Sequence, residues 1–316
     1  MKKVILFLVI AFILFAAGTY LFIPSRLNVS STDVVHSSEN GVVRHALDEK
    51  NWPLWWNYQR DSNSAVRQAA TSFTKGGDSF FISTKFYKSA DITILHGNKP
   101  IVTKFLIVPL SNDSTRVIWH YGIASSLNPF TRFIQYREAA GIRRNMDSVL
   151  VNLHGFLGKL QNVYGIPIAR TSIQDTLFVS AKTTLKVYPH TPDVYSLLKK
   201  IRSYVAANGS KQSGNPIYNI TPLGNGEFQL MAAIPVDKAV TENATFTNKK
   251  MVKGSFMVTE VVGGEQAVDN AWKSLLEYFT DYRKTSMAIN FSMLITDREY
   301  QPDSSKWITR LYQPVY

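Results

Sequence analysis

The side chains best suited to chemistry are dispersed along this chain. Its six histidines, His36, His45, His96, His120, His154 and His190, include no pair at i, i+4 and no adjoining acidic cluster, which is the spacing a helical metal site needs. Ser196-Leu197-Leu198-Lys199 matches a bare Ser-x-x-Lys pattern, but the companion motifs of serine acyl-enzymes are missing and no G-x-S-x-G occurs, so Lys199 reads as a solvated helix residue. Gly224-Asn225-Gly226 and Gly263-Gly264 lack the Lys-Ser/Thr or G-x-G-x-x-G that a phosphate loop requires and read as turns. With no cysteine, disulfides, thiolate metal sites and cysteine nucleophiles are excluded. No residue is nominated as catalytic, metal-ligating or cofactor-binding.

The formal net charge of +12 is spread out. Arg143-Arg144 and Lys249-Lys250 are isolated basic pairs, and no helix-turn-helix segment is evident. A nucleic-acid protein concentrates its charge and carries a reading motif, so nucleic acid is not expected as a partner. Attraction to anionic lipid headgroups is the better meaning of the charge.

The elements that would have to hold a site show a duplication. Strand 177–182 is followed by a helix from about Asp193 to Ala206, on which Val194, Leu197, Leu198, Ile201 and Val205 recur at helical spacing. Thr191-Pro192-Asp193 starts this helix and Asn208-Gly209 stops it. Strands 217–221 and 228–235 follow, turned at Gly224-Asn225-Gly226. The second copy has strand 254–262, the Gly263-Gly264 break, and a helix from about Gln266 to Tyr282 with the apolar stripe Val268, Trp272, Leu275, Leu276 and Phe279. Strands 288–296 and 307–314 complete it. The order is β-α-β-β twice. Strand edges that pair with the other copy leave a shared saddle between two helices.

This pattern resembles the GyrI-like effector-binding domain, the ligand module of many AraC- and MerR-type transcription regulators. The resemblance spans roughly residues 168–316. It rests on Pro216-Ile217-Tyr218-Asn219-Ile220, Ala233-Ile234-Pro235-Val236, Gly254-Ser255-Phe256, Gly263-Gly264, and Trp307-Ile308-Thr309 with Tyr312-Gln313-Pro314-Val315. Members commonly carry a glutamate, and an aromatic two residues on, just before a Thr-Asp turn. Here the turn is Thr296-Asp297, and those positions hold Ser292 and Leu294. The family's acid serves as counter-charge for cations, or as general acid/base in a hydrolytic branch, and a serine hydroxyl does neither well. The resemblance implies a groove in which the strands carrying Tyr218, Phe291 and Ser292 face each other. Trp307 and Tyr312 sit on the closing strand and either line the groove or pack beneath it. The implied ligand is neutral, apolar or amphiphilic, in an aromatic groove with few charges.

Residues 26–163 read as a separate domain, before a helix stop at Gly165-Ile166-Pro167 and a second domain at 166–316. It has a short strand 26–30, a helix 37–48, the cluster Trp52-Pro53-Leu54-Trp55-Trp56, and strands 79–88, 91–96, 101–109 and 115–123. A long helix then runs to Tyr164 with the stripe Ile142, Met146, Leu150, Leu153, Leu157 and Leu160. Trp52, Trp55 and Trp56 either anchor the core or line a ligand mouth, the core being preferred. The arrangement, with Asn51-Trp52-Pro53-Leu54-Trp55 after the first helix, resembles the helix-grip fold of the START/polyketide-cyclase-like (SRPBCC) superfamily, which implies an apolar cavity under the long helix.

At the N-terminus, Val4–Ile23 carries no charge and at ~1.5 Å per residue spans the ~30 Å hydrocarbon core. Lys2 and Lys3 precede it, which places the start of the chain in the cytoplasm. The apolar stretch exceeds a signal-peptide core and no A-x-A site follows. Residues 1–25 therefore read as an uncleaved signal-anchor.

The whole reads as an α+β protein, single-pass in a bacterial inner membrane, with two extracytoplasmic domains: a helix-grip antiparallel sheet and a duplicated β-α-β-β module. The expected function is non-catalytic binding of a small molecule. A GyrI-like hydrolase and a structural or partner-binding envelope protein are the alternatives, and no protein partner is specified.

Overall fold

Residues 2–56, 73–97, 99–173, 176–251, 253–286 and 288–315 are described by the structure, a computed structural model. The chain is mixed α+β, with an apolar N-terminal helix and two antiparallel sheets. It divides into two compact units, residues 1–159 and 160–316.

The first unit opens with α1 (Lys2–Phe22), whose large apolar side chains are almost all exposed. β1 (Arg26–Val35) is separated from α1 by three residues and alternates exposed Arg26, Asn28 and Ser30 with buried Leu27, Val29 and Ser31. That alternation is the period-2 signature of a strand with one covered face. α2 (Glu39–Ala46) is capped by Ser38, whose Oγ accepts from the Gly41 N–H at 3.1 Å. A 3₁₀ turn at Glu49–Leu54 follows. Then come β2 (Phe73–Lys75), β3 (Asp78–Lys85), β4 (Ser89–His96), β5 (Lys99–Pro109) and β6 (Thr115–Ala124), and among the described residues the sheet order is β1-β6-β5-β4-β3-β2.

α3 (Pro129–Leu157) packs along β1 and buries Ile142, Met146, Leu150, Leu153 and Leu157. Gly158 caps it, so Leu160, which the sequence pattern extended onto this stripe, begins a separate helix in the second unit. The tryptophans are core residues. Trp52 stacks on Trp56 at 4.9 Å, Trp56 meets Phe80 at 5.2 Å, and Phe80 meets Trp119 at 5.8 Å. Three of their polar edges are satisfied: Trp52 Nε1 donates to the Ala46 carbonyl, Trp55 Nε1 to the His45 carbonyl and Trp119 Nε1 to Thr103 Oγ1, whereas Trp56 Nε1 is buried without a hydrogen-bond partner.

The second unit begins with α4 (Leu160–Tyr164), ended by Gly165 at φ +74°, a left-handed position that glycine adopts without strain. It continues through β7 (Ala169–Ile173), β8 (Thr176–Leu185), α5 (Thr191–Ala207), β9 (Ile217–Gly224), β10 (Glu227–Pro235), β11 (Thr247–Met251), β12 (Gly254–Val262), α6 (Glu265–Asp281), β13 (Phe291–Leu294) and β14 (Ile308–Pro314). The repeats are β8-α5-β9-β10 and β12-α6-β13-β14. Among the described residues the sheet order is β11-β8-β10-β9-β13-β14-β12-β7, so each repeat mirrors the other about the β9–β13 seam. The edge strands are exchanged: β7 precedes the first repeat but pairs with β12, and β11 precedes the second but pairs with β8. Each outer strand is thereby covered by a segment lying next to the other repeat in sequence.

Both faces of this sheet are buried. On one, α5 packs Val194, Leu198 and Ile201 against Val179, Leu230, Ala232 and Ile234, while α6 covers β12 and β14. On the other, Phe178, Ile217 and Ala233 of the first repeat meet Phe256, Phe291 and Tyr312 of the second in one cluster. These residues share one strand parity on six consecutive strands, β8-β10-β9-β13-β14-β12, so the cluster runs unbroken across the seam.

Candidate ligand groove

The groove starts at the seam. Ser292 on β13 pairs in register with Tyr218 on β9, and both side chains point to the helical face. Tyr218 packs against the α5 core, and Ser292 Oγ accepts from Trp272 Nε1 on α6 at 3.2 Å. A cavity of about 410 Å³ lies over this pair. One wall is a single face of α6, made of Val268, Asp269, Trp272, Lys273 and Leu276, whose i, i+1, i+4, i+5, i+8 spacing keeps them together. Tyr188 forms the facing wall. At one border Asn219 Nδ2 donates to both the carbonyl and Oδ1 of Asn290, at 2.8 and 2.9 Å.

The groove narrows between the starts of the two helices. This extension shares Tyr188, Tyr218 and Asp269 with the main cavity and adds His190, Thr191, Glu265 and Arg298, with a volume of about 20 Å³. Glu265, in the first turn of α6, accepts from the first N–H of α5 at Thr191 and sits 2.7 Å from His190 Nδ1. One carboxylate thus satisfies an orphan helix-end donor and its own helix dipole. Burial pushes the Glu265 pKa up, but the hydrogen bonds from Thr191 and His190 outweigh it and leave the group below its usual range.

Arg298 is 8 % exposed. Its Nη1 donates to Thr191 Oγ1 at 2.7 Å, its Nη2 to Thr309 Oγ1 at 2.9 Å, and its guanidinium lies 4.5 Å from the Trp307 ring centroid. Nε has no hydrogen-bond partner. Asp297 and Glu299, its chain neighbours, pair with Arg202 instead. Burial raises the Tyr218 phenol pKa, and the Arg298 charge, then hydrogen bonds with Ser292 and with Arg298, pull it partly back. The Tyr188 phenol is pushed up to about 12, first by burial and then by the Asp269 carboxylate, which it approaches to 3.3 Å.

Of the residues picked out from the sequence, Tyr218 and Ser292 meet at the groove floor and Phe291 borders it. The Phe291 ring, however, stacks on Tyr312 at 4.8 Å and 15° on the opposite face. Tyr312 therefore packs beneath the groove, because it occupies the strand parity of Phe291 and not that of Ser292. Trp307 lines neither the groove nor its extension: its Nε1 donates to the Gln301 carbonyl at 2.7 Å and its ring lies against the Arg298 guanidinium. The expectation of few charges does not hold, since Asp269, Lys273, Glu265, His190 and Arg298 all line the groove or its extension. Sequence reading put Trp272 and Leu276 in the core stripe of α6. Leu276 is instead 47 % exposed, while Val268, Leu275 and Phe279 of that stripe are buried. Among the described residues, no group of three or more His, Cys, Asp or Glu is arranged to hold a metal ion.

Two β-α-β-β repeats joined at a strand seam, with a groove between their helices, define a duplicated α+β module consistent with a GyrI-like fold. No family model matches the chain, and no curated protein matches it. Several solved structures do. The EcmrR C-terminal domain aligns at 13 % identity over 48 % of this chain and 98 % of its own, with a TM-score of 0.42. A putative bacterial transcription regulation protein from Staphylococcus aureus MU50 aligns at 19 % identity over 48 % of this chain and 99 % of its own, with a TM-score of 0.35. SAV2435, bound to tetraphenylphosphonium, aligns at 16 % identity over 48 % of this chain and 94 % of its own, with a TM-score of 0.32.

Proposed function

We propose that the second unit is a small-molecule-binding module of GyrI-like type and that its groove takes an aromatic or amphiphilic ligand without turning it over. The observation that carries this reading is the 410 Å³ cavity roofed by Trp272 and floored by Tyr218 and Ser292. It falls within the ~300–1,000 Å³ range of small-molecule sites, and its walls combine apolar faces with a few placed polar groups. Ser292 holds the position of the family's glutamate, and its hydroxyl is already engaged by Trp272, which supports binding over acid–base chemistry.

The first unit is read as a helix-grip domain of SRPBCC type. One short helix, an antiparallel sheet and the long α3 packed on it support that reading. The chain is read as a single-pass inner-membrane protein with everything after α1 outside the cytoplasm, supported by the length and apolarity of α1 and by Lys2-Lys3 before it. Protease added to spheroplasts would digest everything after α1; protection until the cytoplasm is opened would overturn that topology.

Binding is tested by calorimetry on the full chain in non-ionic micelles with 2-naphthylmethanol, subtracting partitioning into empty micelles. Saturable binding at one site, weakened at least tenfold in Trp272→Ala, is the expected result. Partitioning alone would favour the partner-binding alternative, and turnover of 2-naphthyl acetate above the micelle blank would favour a hydrolase.

A further inference from the structure

The groove carries one buried charge, Arg298, that no opposite charge among the described residues pairs with. Arg298 presents five N–H donors, gives two to threonine hydroxyls, and leaves Nε unpartnered. Among the described residues no carboxylate lies within ion-pair distance of it. The other charges nearby are accounted for: Glu265 is held by Thr191 and His190, Asp269 receives the Tyr188 hydroxyl, and Lys273 sits exposed on the rim. Desolvating a guanidinium is costly unless an opposite charge or a full set of hydrogen bonds compensates it. Beside it the Tyr218 hydroxyl bonds with both Arg298 and Ser292, Ser292 stands in register with Tyr218 at the mouth of the extension, and the narrow space has room for about one water.

We propose that Arg298, with Tyr218 and Ser292, forms a subsite for a small oxyanion, so that the ligand is an aromatic or apolar body bearing one carboxylate or similar group. This rests on the groove being a ligand site. The body lies against Trp272 and Leu276, and the anion reaches the narrow end, where a charge-assisted hydrogen bond to Arg298 is favoured by the low exposure.

The test uses three probes with one ring system and three charges: 2-naphthoate, 2-naphthylmethanol and 2-naphthylmethylammonium, titrated into the full chain in non-ionic micelles. The expected order places 2-naphthoate at least tenfold above the alcohol and the ammonium last. Arg298→Gln brings the naphthoate-to-alcohol ratio to about one, and Arg298→Lys keeps a preference. Equal affinity for naphthoate and the alcohol in the native chain overturns the proposal without any variant. A preference that survives Arg298→Gln overturns it too. Binding of none of the probes removes the groove reading and this subsite with it, whereas equal binding of all three removes the subsite alone.

A second observation, independent of the groove, concerns the start of α3. β1 begins right after α1, and its first residue Arg26 pairs with Ala124 at the end of β6. The Ser125 N–H and Oγ donate to the Ser25 and Pro24 carbonyls at 2.9 and 2.7 Å. Tyr20 donates to the Leu127 carbonyl, Arg132 Nε donates to the Ile23 carbonyl at 3.1 Å, and the Arg132 guanidinium lies over the Tyr20 ring. Phe130 packs on Phe12 and Phe15, and Phe133 on Phe15, with centroids 5.1–5.8 Å apart. At ~1.5 Å per residue, Phe15 and Phe12 lie roughly 12 and 16 Å below Ile23 along α1. Leu127, Phe130 and Ile134 are 84, 53 and 54 % exposed. The polar cost of burial in lipid is met locally, because Asn128 Oδ1 accepts from the Phe130 and Thr131 N–H groups.

If α1 spans the bilayer, as the topology reading holds, this apolar surface is continuous with the span, and we infer that the first two turns of α3 insert among the acyl chains of the outer leaflet. The chain has no cysteine, so single nitroxide labels report depth. In nanodiscs, labels at Leu14→Cys, Phe130→Cys and Ile134→Cys should favour oxygen over a water-soluble nickel complex, and a label at Val151→Cys the reverse. Water-like behaviour at 130 and 134 with lipid-like behaviour at 14 overturns the insertion but leaves the span. Water-like behaviour at 14 overturns both.

Discussion

Two leucines of the second unit separate the core from the groove. Leu198 on α5 is 0 % exposed inside the first-repeat core, and Leu276 on α6 is 47 % exposed at the groove wall. Truncating a fully buried leucine to alanine removes its transfer energy and leaves a cavity, together about 3 kcal/mol. Truncating Leu276 loses about half the burial and opens no sealed cavity, so about 1 kcal/mol is expected. With a urea slope of ~2 kcal/mol per M for a domain of this size, Leu198→Ala lowers the midpoint by about 1.5 M and Leu276→Ala by about 0.5 M. Hydrogen exchange of the β10 and α5 amides at increasing urea follows the second unit alone, so unfolding of the first does not intrude. Affinity for 2-naphthylmethanol should change in the opposite sense: under twofold in Leu198→Ala below its midpoint, and about fivefold weaker in Leu276→Ala. Equal midpoint shifts, or a larger one for Leu276, would refute the division of α6 into a core face and a groove face.

Gly263 has φ +135°, and a Cβ there would meet Ala267 Cβ at 2.8 Å, whereas at Gly264 the nearest atom is 3.5 Å away. Gly263→Ala should therefore cost roughly 2–3 kcal/mol, a loss of about 5–10 °C in Tm, with Gly264→Ala within about 2 °C of native by calorimetry. Burial raises the Tyr195 and Tyr278 phenols to about 12. Since the folded pKa lies above the unfolded one, their contribution is complete below pH ~10 and is lost as pH rises towards 12, roughly 2–3 kcal/mol per tyrosine. Urea midpoints at pH 8, 10 and 12 check this against Tyr195→Phe, in which lysine titration is unchanged, and a Tyr195→Phe profile identical to native would refute it. Ser292→Glu puts a carboxylate beside Tyr218, whose hydroxyl bonds with Arg298; 2-naphthoate should bind at least tenfold more weakly and 2-naphthylmethylammonium more tightly, and unchanged affinities for both would remove Ser292 from the site.

The sequence by itself determined the repeated β-α-β-β order and the limits of α5, α6, β12 and β14 to within a residue or two. It also gave the turn at Gly224-Asn225-Gly226, where Asn225 has φ 52°. These follow from local periodicity and backbone chemistry, which act over a few residues. β7 and β11 were invisible to that reading. Their partners belong to the other repeat, and Thr247-Asn248-Lys249-Lys250-Met251 has no pattern of its own to betray a strand. The division of faces was also beyond it: strand parity separates Ser292 from Phe291 and Tyr312, but helices bury one face and the other carries the buried Phe291 cluster, so apolarity alone cannot say which holds the groove. Trp272 fits a core stripe and a cavity wall equally well, because both are apolar faces of one helix. Arg298 stands in a charged run, Asp297-Arg298-Glu299, that reads as solvated. Only the tertiary structure carries it between Thr191 and Thr309 and over Trp307, since burial depends on what the rest of the chain places around a residue.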